Sequence, residues 1–273
     1  MKWRTVLCTA LFLCGTVLLS ACGGGEMPAP AEPPASSEVS APSQPEEVPA
    51  PSESASSSEP EPPVSSVPEK ENPLIVNGAL KSYDTGNQKE IVLPSGKFTK
   101  IGSGCFKNNT TMESVSIPEG VTEIGFAAFA QCYNLKSVKL PKSLVKIEQS
   151  AFSGCVALQK IEYPRNAKLE LCNYAFGKTG LIELNLPENV VLKDECVFAD
   201  CGKLTKVRVE IKGAIRSLTF AGCTSLKTVI LGKGVSAIED YAFDNCSSLT
   251  EINYEGDNKE IQKKVDQLLE KQS

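Results

Sequence analysis

Eleven cysteines stand in a chain of 273 residues that contains no histidine. A thiolate can hold a metal, attack a carbonyl or pair as a disulfide. The first two of these chemistries ordinarily draw on an imidazole, as co-ligand or as base. No cysteine or carboxylate cluster shows metal-ligand spacing of its own, and no glycine-rich loop is placed to cradle phosphate. No catalytic residue, metal site or cofactor is therefore expected. The cysteines instead keep time: Cys132, Cys155, Cys201, Cys223 and Cys246 each follow a phenylalanine by three places, and Asn109 and Thr179 fill the same slot twice more.

Those phenylalanines, Phe106, Phe129, Phe152, Phe176, Phe198, Phe220 and Phe243, are 22 to 24 residues apart. A fixed period of that length marks a solenoid, in which each unit buries its apolar face only against its neighbours. Downstream of each cluster lies a short alternating run: Ser114–Ile117, Ser137–Leu140, Lys160–Tyr163, Glu183–Leu186, Lys206–Val209, Thr228–Leu231 and Glu251–Tyr254. Period two predicts strands with Val, Ile or Leu turned inward. Pro94, Pro118, Pro141, Pro164 and Pro187 each close such a run, because proline lacks the N–H that a parallel neighbour would use. A second apolar pair follows, as in Val121 with Ile124. Then comes alanine before Phe at 128, 151, 175 and 242, where backbones must approach closely. The expected fold is a β-rich α/β solenoid: a right-handed array of parallel strands with about seven repeats. The eight repeat cysteines fit a ladder of buried thiols better than disulfides, because parallel Cβ vectors disfavour the bond.

Outside the repeats the composition changes twice. Residues 1–21 carry Lys2 and Arg4 before an apolar run from Val6 to Leu19, too short to span a bilayer, as in a secretion leader. The leader ends in Leu19-Ser20-Ala21-Cys22, which resembles the lipobox of bacterial lipoproteins. That resemblance implies a lipidated Cys22 and a membrane tether. Residues 22–73 hold thirteen of the eighteen prolines, ten glutamates and no aromatic residue, a composition that predicts a disordered, extended spacer. The resulting expectation is an extracytoplasmic, surface-exposed protein of a Gram-positive bacterium, with the spacer crossing the wall. The repeat domain, 74–256, and the tail are nearly neutral, so neither nucleic acid nor an anionic membrane surface is suggested.

The order strand, proline, apolar pair, Ala-Phe, Cys-x-x-Leu resembles the BspA-like subclass of leucine-rich repeats in bacterial surface proteins. Residues 117–125, Ile-Pro-Glu-Gly-Val-Thr-Glu-Ile-Gly, and Ala151-Phe152-Ser153-Gly154-Cys155 match it most closely. Asn77-Gly78-Ala79-Leu80 with Tyr83 resembles the capping half-repeat that opens such arrays. Some places depart from the pattern: Thr179 replaces a ladder cysteine, Lys193 stands where an apolar residue is expected, and Cys172 and Cys196 are additional. Solenoids tolerate such drift. Residues 257–273 read as a capping helix, with Asp257 and Glu260 spaced as a capping box and Ile261, Val265, Leu268 and Leu269 on one face.

The resemblance implies that the outward strand face is the ligand surface. Its candidate residues are Lys139, Lys160, Glu162, Glu183, Asn185, Lys206, Arg208, Thr228 and Ile230. Taken singly, each of these is a solvated side chain whose ion pairs contribute under about 1 kcal/mol. Taken together they suggest a non-enzymatic protein that binds a macromolecular partner, such as a host or matrix protein. A structural role in the envelope is the alternative. A carboxylate-dependent glycan enzyme is a third reading, and it needs two carboxyl groups in a cleft.

Overall fold

The computed structural model describes residues 73–164 and 168–270. The expected leader, the lipidation site Cys22 and the spacer to residue 72 lie outside the described residues. The described chain opens with a hairpin of β1 (Leu74–Val76) and β2 (Ala79–Ser82), antiparallel about Asn77 and Gly78. Both turn residues have positive φ, 50° and 72°, the pairing that an Asn-Gly hairpin turn adopts. Leu80 is fully buried and Tyr83 lies 6.3 Å from the Phe106 ring, so this segment closes the first end of the core as the half-repeat resemblance implies.

From there each turn of chain supplies a first strand and a second strand. In order they are β3 (Glu90–Val92) and β4 (Lys100–Ile101), β5 (Ser114–Ser116) and β6 (Glu123–Ile124), β7 (Ser137–Lys139) and β8 (Lys146–Ile147). The next turn has only a second strand, β9 (Leu169–Leu171). Then follow β10 (Glu183–Leu186) and β11 (Val190–Leu192), β12 (Lys206–Val209) and β13 (Gly213–Ile215), β14 (Thr228–Leu231) and β15 (Val235–Ile238), and last β16 (Glu251–Tyr254). Pairing beyond the opening hairpin is parallel throughout. First strands form the sheets β3-β5-β7 and β10-β12-β14-β16, while second strands form a sheet running from β2 to β11 and the pair β13-β15. A parallel-strand solenoid results, as the repeat period requires.

The third wall is built by the Phe turns. Each is flanked by positive-φ residues two places before and two places after the ring, such as Ala127 and Gln131 around Phe129, or Ser150 and Gly154 around Phe152. This backbone turns N–H and C=O groups along the stack, so Phe129 N donates to Ala151 O and Phe152 N to Ala175 O, both at 2.8 Å. Ala128, Ala151, Ala175 and Ala242 are buried at these approaches, as expected of the residue before each Phe. The rings from Phe106 to Phe243 stack with centroids 4.9 to 5.6 Å apart and planes within 1° to 11°. Val115, Val138, Leu184, Val207, Val229 and Ile252 pack inward from the first strands.

Three expectations are corrected. Lys160–Tyr163 forms no strand; its sole pairing is a bridge from Glu162 to Lys139. Lys193 does not displace an apolar residue: Leu192 takes the inward place, in register with Leu171, and Lys193 faces Glu170 at 3.6 Å. The irregularity is one additional residue between Lys193 and Phe198, absorbed by the turn. The last helix, α1 (Lys259–Glu270), begins two residues later than the sequence suggests. Asn258, not Asp257, caps it, with Oδ1 accepting from Glu260 N at 2.9 Å and from Ile261 N at 3.4 Å; asparagine is as good an N-cap as aspartate. Ile261 and Val265 are buried and Leu268 and Leu269 pack beside them, so α1 closes the second end of the core.

Candidate functional site

The first-strand face carries the residues that the sequence singled out, and the structure sorts them into two groups. Glu183, Lys206, Thr228 and Glu251 form one row through β10, β12, β14 and β16, and Asn185, Arg208, Ile230 and Asn253 form the next. Lys160 and Glu162 lie on the stretch that forms no strand, and Lys139, on β7 before it, is level with Glu162. Both groups are outward because their neighbours in sequence, such as Leu184, Val207 and Val229, are drawn into the core.

The charges on this face are largely matched within it. Lys160 Nζ lies 2.7 Å from Glu162 Oε1, and both side chains are exposed. That ammonium holds the Glu162 carboxyl below its usual range. Arg208 reaches across two repeats to Glu255, donating from Nη1 and Nη2 to the two carboxylate oxygens at 3.1 and 3.0 Å, and its Nε pairs with Glu210. Glu251 accepts from Asn253 Nδ2 at 2.8 Å and from Thr228 Oγ1 at 3.0 Å, which lowers its pKa. Lys212 pairs with Glu188 at 2.7 Å and depresses that carboxyl in turn.

Between the groups an open groove of about 1050 Å³ runs along the ends of the strands. Of the candidates Lys160, Glu162, Asn185 and Arg208 line it, and so do Glu188, Glu210, Lys212, Lys233 and Glu255, which the sequence reading left out. These five follow the ends of their strands by one to three residues. Their signal was the same repeat period, read a few residues further on. A second depression lies over β3, β5 and β7, floored by Ser114, Ser116 and Ser137.

The Glu162 and Glu188 carboxyls, held low by Lys160 and Lys212, are satisfied bases rather than raised-pKa acids. The arrangement offers hydrogen bonds and fixed charges on a rigid support. Among the described residues, no group of three or more Cys, Asp or Glu is placed to hold a metal ion, and no helix is long and apolar enough to cross a membrane.

The five ladder cysteines belong to the core. None of the eight described is in a disulfide. Cys132, Cys155, Cys201, Cys223 and Cys246 are fully buried, and each Sγ donates to the main-chain oxygen of the Phe one turn earlier, at 3.1 to 3.4 Å.

Comparison with known proteins agrees with this geometry. A family model described as a BspA type leucine-rich repeat region matches residues 80–205 and 167–265, in six copies. A leucine-rich repeat protein from Bacteroides ovatus is 26% identical with a TM-score of 0.55; the match covers 66% of this chain and 50% of that one. The chain thus spans about half the length of that relative. The T. pallidum leucine-rich repeat protein is 25% identical with a TM-score of 0.56, over 68% of this chain and 86% of its own. Among curated protein sequences nothing matches. Strand order, Phe column and matched residues lead to one conclusion: this chain belongs to the BspA-type leucine-rich repeat family.

Proposed function

We propose that this protein is a non-enzymatic, surface-displayed binding module, tethered through a lipid on Cys22 and held off the membrane by the segment 22–73. The observation that supports a binding role is the first-strand face, which sets Lys139, Lys160, Glu162, Glu183, Asn185, Lys206, Arg208, Thr228 and Ile230 on a buried, hydrogen-bonded frame and opens a groove among them. Rigid support of this kind reduces the ordering cost of binding a macromolecule. The partner is a protein or another macromolecule outside the cell, in keeping with the secretion leader and lipobox resemblance, and adhesion is the activity such a tethered module would serve.

The test is a crosslinking pull-down with residues 74–273 against host extracts and against the cell's own envelope. A variant with Lys139, Lys160, Lys206 and Arg208 all changed to Glu serves as the comparison. A true partner should bind this variant far more weakly, and its residual affinity should respond less to salt. Thermal stability should hardly change, because exposed ion pairs contribute little. Equal binding by parent and variant would remove the strand face from consideration. Recovery of envelope proteins alone would favour a structural role.

A further inference from the structure

The two strand walls do not end level at the first end of the stack. On the second-strand wall, β4 is followed outward by β2, and β2 by β1. On the first-strand wall the sheet ends at β3, which pairs with β5 alone. The opening half-repeat also has its Phe-type turn: Tyr83 lies 6.3 Å from Phe106, and Thr85 Oγ1 accepts from Asn109 Nδ2 at 3.0 Å in the ladder slot. It thus has a second strand and a turn but, among the described residues, no first strand.

The outer edge of β3 carries hydrogen-bonding groups. On the inner edge, Ser114 N donates to Lys89 O at 3.0 Å and Leu93 N donates to Ser116 O at 3.2 Å. Successive residues of a strand face opposite neighbours, so Glu90 and Val92 turn their N–H and C=O away from β5. The Val92 side chain is 75% exposed, more than any other large apolar side chain described. Edges of this kind call for a partner strand or a guard.

The sequence just before Leu74 contains a strand of the right form. Regular first strands end on an outward residue, an apolar residue and proline: Val92-Leu93-Pro94, Ser116-Ile117-Pro118, Lys139-Leu140-Pro141 and Asn185-Leu186-Pro187. Ser66-Val67-Pro68 has the same order, and Glu69 follows it as Glu119 and Glu188 follow theirs. Pro68 precedes Pro94 by 26 residues, where the next intervals are 24 and 23. In the register that β3 keeps with β5, Ser66 falls level with Val92 and Val67 with Leu93. That register takes the N–H of Ser65 to Glu90 O, the N–H of Val92 to Ser65 O and the N–H of Val67 to Val92 O. It asks nothing of Pro68, which has no N–H. Ser65 stands where later strands place Ile or Val, which an outermost layer with core on one side tolerates. The other Val-Pro pair before Leu74, Val48-Pro49, would put Glu46 in that inward place.

Reach and proximity favour this occupant over an external one. Pro68 is six residues from Leu74, a link of up to about 20 Å. A regular repeat rounds the same corner in five, from Pro118 to Glu123, with Val121 N donating back to Pro118 O. The additional length suits β1, which runs opposite to β2 and begins beside Ser82. An edge of three residues is too short to hold a free peptide or a second copy by itself. A segment tethered this closely meets it at an effective concentration on the order of millimolar.

We propose that residues 64–67 are the first strand of the opening half-repeat, adding parallel to the outer edge of β3, with Pro68 closing the strand. The end of the spacer then belongs to the repeat array, extends the first-strand face by one strand beside Val92, and seals the edge against other chains. This goes beyond the binding role proposed above and does not depend on it.

Amide hydrogen exchange on the full chain tests it. The amides of Ser65, Val67 and Val92 should exchange at least about tenfold more slowly than that of Ser57, in the same proline-rich segment. Ser65→Pro removes an N–H that faces β3 and should return Val67 and Val92 to the rate of Ser57. Ser66→Pro removes one that faces away and should leave their protection within about twofold of the parent. The melting temperature of the repeats should move by no more than about 2 °C in either variant. The proposal is overturned if Ser65 and Val67 exchange as fast as Ser57, if Ser65→Pro leaves Val92 protected, or if both proline variants lose protection alike. Protection of Val92 that disappears on dilution would overturn it too, and would give the edge to a second copy.

Discussion

Cys155 Sγ donates to the carbonyl oxygen of Phe129, 3.1 Å away and 26 residues earlier in the chain. The same bond, repeated at Cys132, Cys201, Cys223 and Cys246, explains why a small thiol recurs where an alanine would also fit. The carbonyls of Phe106, Phe129 and Phe220, which already accept from the main-chain N–H three residues on, gain a second donor without admitting water. Thr179 keeps a hydroxyl in the slot but turns it to the carbonyl of its own Phe176, at 2.9 Å, and to Cys201 Sγ at 3.1 Å.

The ladder thiols should therefore be reduced and inert in the native protein. Burial pushes the Cys246 thiol up to about 12, and the adjacent thiol together with burial raises Cys155 and Cys223. Thiolate, the reactive form, is thus withheld at these three, and full burial shields all five ladder thiols from reagents. Labelling of air-exposed protein should be slow until denaturant is added and should then report most of the eight described cysteines. Few titratable thiols in a denatured, unreduced sample would mean that disulfides staple the stack.

Phe152 packs between Phe129 and Phe176 at 5.1 and 5.2 Å and is wholly buried. Phe152→Ala should cost about 3 to 5 kcal/mol in denaturant unfolding. Ser137→Ala, on the exposed face of β7, should fall within about 0.5 kcal/mol of the parent. Similar small losses at both positions would contradict the assignment of inside and outside.

Tyr163→Phe removes a buried hydroxyl that has no partner while keeping the ring against Phe176. Stability should rise by about 1 kcal/mol. A clear loss would show that the hydroxyl has a partner in solution, such as a buried water.

Glu113 sits between Lys136 and Lys89, whose hydrogen bonds hold its carboxyl at about 2 against an ordinary 4.5. On acidification the unfolded chain takes up this proton first, so the contribution is present above about pH 4.5 and is lost as pH falls towards 2. The melting-temperature gap between parent and Glu113→Gln should be widest near neutral pH and should close across that window. A gap independent of pH would argue against the ion-paired geometry.

The proposed anchoring at Cys22 rests on the leader alone, separate from the repeats. Cys22→Ala should move the protein out of the membrane fraction or block its processing, and the mature amino terminus should carry acyl mass. An unmodified terminus at this position would end the lipoprotein reading.

Much of this architecture was legible in the chain because a solenoid writes its contacts at a constant offset. Phe129, Phe152 and Phe176 had to be neighbours in space once they were 23 and 24 residues apart in sequence, and alternation alone turned Val115 and Val207 inward. Local rules located α1 too, though only burial of Ile261 and Val265 with a cap from Asn258 set its start. What periodicity could not reveal is where the period is kept in one wall and broken in another. Lys160–Tyr163 alternates like any other strand, yet it makes only the Glu162–Lys139 bridge, and its own sequence does not set it apart, since Tyr254 takes the same place in the fully paired β16. The pairing of Arg208 with Glu255, 47 residues on, likewise follows from stacking and side-chain reach. Composition and spacing decided that there is a stack and which side faces in; the packing of particular side chains across turns decided where its first-strand face is continuous and where it is interrupted.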